Sequence, residues 1–358
     1  MAERNLTLDL VKGFAIINII FIHTVFWSGS LYGISAIVNQ ISLLIDVPLF
    51  FFLSGWAVNY QTNNIKRNLE RLFKLYFQYC IAAIFMILSL VFIYNHHFSQ
   101  LTIFQYFMAE TTQNDYELPG VGWSVWFLGV FFVVYAETPL LLYIRRSKEN
   151  TVLLSLILFS LVAIFTFTNG VWNNFLTPSY YLSLRVIVFY TLFYFIGIAF
   201  YDVKISLRHL VYCLFGLLTV LYFYSIGSGQ IFDMQKYKFP PSLFYLLASV
   251  ISVILTLYIK NFENYFKYNN ENLAIRLLEY CGKNVFTIYL YQGFGGSLLF
   301  SLIPHLKIYP WYFILSICFF LNLIITLCLT VVFLKFNNIS FNKLKSRYLY
   351  IHSKIFDL

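Results

Sequence analysis

The sequence predicts an all-α, polytopic integral membrane protein of about ten transmembrane helices with both termini in the cytoplasm, and three observations predict it. Hydrophobic residues make up 60% of the chain against 11% charged, with a mean hydropathy of +0.74, far from the balance of a soluble domain. The apolar residues fall into ten runs, at about 8–27, 41–60, 75–94, 124–144, 151–168, 184–201, 208–226, 243–259, 284–302 and 311–334. Most approach the roughly 20 residues that cross a bilayer core. Basic residues collect on alternate links between the runs. Backbone polar groups in lipid must satisfy one another, so runs this long read as helices and not as barrel strands.

The first run, 8–27, holds Asp9, Lys12 and His23. Ionisable groups inside a span are costly and face a bundle interior or a water-filled cavity. His23 follows Lys12 by eleven positions, three turns plus about 20°, so the two share a face, with Asp9 beside them. The rise between them is roughly 16 Å, about half a bilayer core. Lys12 also fits an inner-leaflet snorkelling lysine. The run lacks a small-residue cleavage site and reads as a retained signal anchor.

The second run, 41–60, carries Asp46 about five residues from its outer start, a depth matching His23, about four residues from the outer end of the first run. A carboxylate there would fix the imidazole tautomer and support a general base. Asp46 also precedes Pro48 by two residues and fits a helix N-cap. A basic link with Lys66, Arg67, Arg71 and Lys74 leads to 75–94. The loop 95–123 contains His96, His97, Asp115 and Glu117, in no metal-ligand spacing, and reads as solvated. Glu137 in 124–144 lies at a depth comparable with Lys12, where an ion pair is expected. The fifth run, 151–168, is the shortest and follows Arg145, Arg146 and Lys148. Lys204 and Arg208 lie between the next two runs; Lys260, Lys267, Arg276 and Lys283 lie between 243–259 and 284–302. The last run passes into a basic-aromatic tail. Residues 1–335 are read as one transmembrane domain and 336–358 as a cytoplasmic, interfacial tail. No loop is long enough to bury a core of its own, and no solenoid period is present.

With the amino terminus inside, the inner links and tail hold twenty of the 24 basic residues, leaving Arg185, Lys236, Lys238 and Lys307 outside. The net charge of +9 thus has a membrane explanation, through anionic lipid at the inner leaflet, and does not point to nucleic acid. Cys80, Cys213, Cys281, Cys318 and Cys328 lie in or at the ends of expected helices, without a disulfide pattern or zinc spacing. They read as small apolar packing residues. No metal site is expected.

Five motifs in order then resemble one family. The opening LDLVKGFAIINIIFIHTV (8–25) resembles the first helix of the acyltransferase 3 family, in which a basic residue, ten intervening residues and a histidine recur. DVPLFFFLSGWAV (46–58) is similar to its Pro-Leu-Phe-Phe-Phe-x-Ser-Gly signature, and KRNLERLFKLY (66–76) to its basic link. WFLGVFFVVYAETPLL (126–141) and CGKNVFTIYLYQ (281–292) resemble later family patterns. Ten helices is also the family's architecture. Four positions depart: Lys12 stands for arginine, Asp46 and Gln292 where histidine is common, and Leu75 where proline is common. Lysine keeps the charge but loses the bidentate fork.

The resemblance implies a stand-alone membrane O-acyltransferase, without a fused esterase-like domain, in the bacterial plasma membrane. It would move an acyl group, usually acetyl, from cytoplasmic acetyl-CoA to a hydroxyl of a cell-surface or exported polysaccharide, such as a capsule, or its lipid-linked precursor. Lys12, Arg67, Arg71 and Lys283 are expected at the donor phosphates, with no tightly bound cofactor. His23 and Asp46 are expected to be catalytic, by general-base or acyl-histidine chemistry. Arg185, Gln292 and Trp123, with Tyr180 and Tyr181, are expected on the acceptor side. The competing readings are a transporter or flippase for a lipid-linked sugar, which would show inverted repeats or broken helices, and a catalytically silent partner of a glycan-assembly complex.

Overall fold

The computed structural model describes residues 5–60, 65–94, 100–108, 126–168, 183–227 and 234–356, and the regular elements among them are all helical. In order they are α1 (Leu6–Ser28), α2 (Ala36–Ser42), α3 (Val47–Val58), α4 (Ile65–Tyr94), α5 (Gln100–Phe107), α6 (Trp126–Ala136), α7 (Thr138–Ile144) and α8 (Lys148–Phe167). There follow α9 (Leu184–Ala199), α10 (Leu207–Gly227), α11 (Met234–Lys238), α12 (Leu243–Ile259), α13 (Glu263–Tyr268), α14 (Leu273–Lys283), α15 (Val285–Leu306) and α16 (Trp311–Phe356).

Among the described residues, seven stretches are long and apolar enough to cross a membrane: Leu6–Leu31, Ala36–Val58, Ile65–Ser89, Lys148–Phe167, Leu243–Tyr268, Val285–Leu306 and Trp311–Asn337. The pair α6 and α7, bent by 49°, makes an eighth if taken as one span. The other two of the ten expected runs form the shorter apolar helices Leu184–Ala199 and Leu207–Phe223. α9 is nearly all buried inside the bundle, so protein and not lipid surrounds it, and about 24 Å of helix suffices. Exposed Phe159 on α8, Phe215 and Phe223 on α10, and Phe320 and Val332 on α16 give the outer faces the apolar surface that lipid requires. The thiols follow the same division, with Cys281 and Cys318 buried, Cys80 half-buried, and Cys213 and Cys328 exposed.

Two expected helices are broken, each at a proline. The run 41–60 is not one helix: α2 ends at Ser42, residues 43–46 are non-helical, and α3 restarts with Pro48 in its first turn. Carbonyls freed by the break find a donor on α1, where Asn18 Nδ2 reaches Ser42 O at 3.1 Å and Ile45 O at 2.6 Å. At the second break Pro139 lacks the N–H that would bond Tyr135 O; Thr138 Oγ1 donates to that carbonyl instead, at 2.5 Å. At the carboxyl end α16 continues unbroken to Phe356. The tail is thus helical backbone continuous with the last span.

Close backbone approach at small residues sets the core. A Cβ on Gly55 would fall 1.9 Å from Tyr194 O, and one on Gly197 would fall 2.0 Å from Phe52 O, so α3 and α9 cross in contact. The same device joins α1 to α14, with Gly13 against Leu278 O at 1.9 Å and Gly282 against Asp9 O at 1.7 Å. The second crossing delivers Lys283 to the amino-terminal end of α1.

Candidate functional site

α1 is the axis of the site. Asn5 caps its start by accepting a hydrogen bond from Leu8 N at 2.8 Å, and its Nδ2 donates to Tyr60 OH at 3.0 Å, fixing the helix against the end of α3. Lys12 and His23 then project from one continuous helix with the rise their spacing implies.

At the Lys12 end a cavity of about 490 Å³ opens between α1, α3, α4, α6 and the α14–α15 junction. Lys12, Arg71, Lys74 and Lys283 line it, with Asp9 the sole carboxylate among the described residues, and Gln78, Asn284 and Thr287 add neutral polar groups. Phe50, Phe127, Phe131, Phe286 and Tyr289 form apolar walls. Three of the four expected phosphate-binding residues therefore share one chamber; the fourth, Arg67, is exposed on α4 and does not line it. Lys74 of the same basic link, also expected near the donor phosphates, lines it as well, on the helix face that Arg71 occupies, one turn on. Lys283 additionally pairs with Glu279 across one turn of α14.

Further along α1, His23 is clamped from two sides. Its Nδ1 lies 2.6 Å from Gln292 Oε1 on α15, and its ring stacks on Trp27 with centroids 4.2 Å apart. Gln292 Oε1 can only accept, so Nδ1 is the donor of this pair, and in the neutral imidazole that pairing leaves the lone pair on Nε2. Gly295 and Gly296, the residues after this turn, make the space: a Cβ on Gly296 would lie 2.8 Å from the Trp27 ring, and one on Gly295 would meet Asn322 Oδ1 at 2.2 Å. Asn322 Nδ2 in turn donates to Thr24 Oγ1 at 3.2 Å, and Thr326 to Asn322 Oδ1 at 3.2 Å, so α1, α15 and α16 are pinned around the imidazole. The sequence reading missed these glycines; a Gly-Phe-Gly-Gly patch inside an apolar run is the signal that marks such a crossing. The cavity lining ends at Tyr289, and Gln292 lies about 4.5 Å further along α15.

Asp46 does not bond to His23, contrary to expectation. Its Oδ2 accepts from Tyr245 OH at 2.7 Å and pairs with Lys238 Nζ at 2.7 Å, both side chains being almost fully buried. It occupies the N-cap position of α3 without making the side-chain capping bond. The break before Val47 turns the carboxylate toward α11 and α12, a direction that depth counted along a straight helix could not supply. Lys238, assigned by sequence to an outer loop, is likewise inside the bundle.

The remaining expected residues divide. Arg185 is buried, and its Nε donates to Pro241 O at 2.9 Å, anchoring the segment after α11. Gln292, expected on the acceptor side, holds His23. Glu137 accepts from Thr191 Oγ1 at 3.0 Å at the α6–α7 break; this bond stands where an ion pair with Lys12 was expected. Trp123, Tyr180, Tyr181, His96, His97, Asp115 and Glu117 lie outside the described residues. Among the described residues no three His, Cys, Asp or Glu side chains gather as a metal site.

Neither a curated protein nor a solved structure matches the chain. One family model does, the acyltransferase domain of acyltransferase 3, over residues 5–334. The match takes in α1, both broken helices, the basic cavity and the His23 clamp, and on it this chain belongs to the acyltransferase 3 family.

Proposed function

We propose that the protein is a multi-pass enzyme of the bacterial plasma membrane that moves an acyl group, acetyl in the simplest case, from cytoplasmic acyl-CoA to a hydroxyl of a cell-surface or exported polysaccharide or its lipid-linked precursor. The observation that supports this most is the alignment of a basic, aromatic-walled cavity with a base-ready imidazole along one helix. Lys12, Arg71, Lys74 and Lys283 suit the donor's phosphates. The aromatic walls suit its pantetheine arm, which has roughly 16 Å to bridge between Lys12 and His23. No tightly bound cofactor is invoked.

In the reaction, His23 Nε2 takes the acceptor's hydroxyl proton as the oxygen attacks the thioester carbonyl carbon. Collapse of the tetrahedral intermediate breaks the C–S bond, and the imidazolium returns its proton to the departing thiolate. The products are the ester and free CoA. Gln292 keeps the base in the right tautomer throughout, the part an aspartate plays in hydrolase triads.

The broken helices at 43–46 and 137 give the transport reading its one specific support. A single comparison separates the two: surface glycan from cells with the wild-type protein, without it, and with His23→Ala. Loss of mild-base-labile acyl groups in both defective strains, with glycan still exported, is the expected result. Loss of the glycan itself would favour transport, and full acylation with His23→Ala present at normal abundance would sink the catalytic assignment.

A further inference from the structure

The Asp46 carboxylate is held at one oxygen and bare at the other. Oδ2 takes both Lys238 and Tyr245, while Oδ1, fully buried, has no hydrogen-bond partner among the described residues. Gln292 Nε2, on the residue that clamps His23, is one of several other buried polar atoms in that condition. A buried acceptor and a buried donor left open each cost stability and call for an explanation. Asp46 and Lys238 are both within electrostatic range of His23, and Asp46 of Tyr289, a residue that lines the cavity.

The surrounding segment is built to hold Lys238 there. Met234 N donates to Gln40 Oε1 at 2.7 Å, Ser242 N to Tyr237 O at 3.0 Å, and Arg185 fixes Pro241 O. The ammonium sits 5.5 Å from the Trp126 ring centroid and 5.4 Å from that of Phe239, where the ring faces favour a cation. Such a pair as pure structure gives little net stability, since desolvating two charges offsets their attraction.

We propose that Lys238, Asp46 and Tyr245 form a binding site for a neutral polyhydroxyl group, the sugar of the acceptor, whose hydroxyl donates to Asp46 Oδ1. Lys238 and Tyr245 hold the carboxylate by Oδ2, which leaves Oδ1 for the ligand. Lys238 and Tyr245 act as positioning residues, through Asp46. The assignment rests on the acyltransferase reading for the identity of the polyol, and on the open oxygen for the site.

The test uses the double variant Asp46→Asn/Lys238→Met in the full-length protein. It removes both charges together, so no uncompensated charge is left to unfold the bundle. Two measurements are made, acyl transfer to the de-acylated surface oligosaccharide of the source cell, and binding of that oligosaccharide to purified protein without donor. The expected result is an acceptor KM raised about tenfold or more with the donor KM held within about twofold, and oligosaccharide binding weakened by a like factor. Tyr245→Phe should shift the acceptor KM in the same sense by less. An unchanged acceptor KM in a folded double variant would overturn the site, assigning the ion pair to structure and Oδ1 to water. Wild-type oligosaccharide binding that the double variant loses, without any transfer, would leave the site standing and remove the acyltransfer reading. No wild-type binding and no transfer would overturn both.

Discussion

At the scale of single residues, His23 and Gln292 act as one unit, and the mutational arithmetic follows. Gln292→Leu removes the bond to Nδ1 without adding charge, so kcat/KM should fall about ten- to hundredfold, the worth of one buried hydrogen bond. His23→Ala removes the base and should cost about a hundred- to ten-thousandfold. Because Gln292 works through the ring it holds, the double variant should be no worse than His23→Ala alone in a kinetic double-mutant cycle. Fully additive losses would place Gln292 on the substrate instead. Lys12 and His23 were legible because one helix fixes both their spacing and their shared face. Their partners were not, since Gln292 is 269 positions away in the chain and only packing of α15 on α1 brings it near. The expected pairing of Asp46 with His23 failed for a related reason: depth along a span is readable from sequence, and direction around a broken helix is not.

At the scale of elements, the fit of α14 against α1 decides whether the cavity exists. Gly282→Ala would drive a Cβ to 1.7 Å from Asp9 O, a backbone atom that cannot swing aside. The two helices must part, at a cost of about 1–3 kcal/mol, and Lys283 leaves the cavity with α14. A lower melting temperature in detergent together with weaker acyl-CoA binding is the expected outcome. Gly216→Ala on α10 is the control, since a Cβ there meets nothing within 4 Å, and an alanine should hold or slightly raise stability. Equal behaviour of the two variants would show that the crossing does not set the site. The element pattern also explains where the sequence reading ran short. Pro48 and Pro139 both announced breaks, yet hydropathy averages over a window and smooths a break into a continuous span. The side chains that repair the breaks, Asn18 and Thr138, are ordinary polar residues in apolar runs and gain meaning only from the carbonyls beside them.

At the scale of the molecule, composition and the positive-inside pattern were enough for an all-helical membrane bundle, because lipid leaves so few ways to satisfy a backbone. They could not decide which of the ten apolar runs reach across it. α9 is as apolar as a span and yet short, its neighbours being protein on all sides. What the assembled bundle adds is a charge field: among the described residues, four basic side chains from three separate elements face one chamber with a single carboxylate. If that field holds the donor, acyl-CoA binding must weaken as salt rises, because at 0.15 M ionic strength screening acts within about 8 Å. An acyl thioester of N-acetylcysteamine, which keeps the reacting bond and lacks the phosphates, should bind weakly and with no comparable salt dependence. Lys74→Glu reverses one of the four charges and should raise the KM for acyl-CoA about tenfold or more, on the scale of one charge-assisted hydrogen bond, while leaving the truncated thioester within about twofold. Parallel losses for both donors would mean that Lys74 shapes the chamber and does not read the phosphates, and the donor's charged end would then have to be sought among the exposed residues of α4, beginning with Arg67.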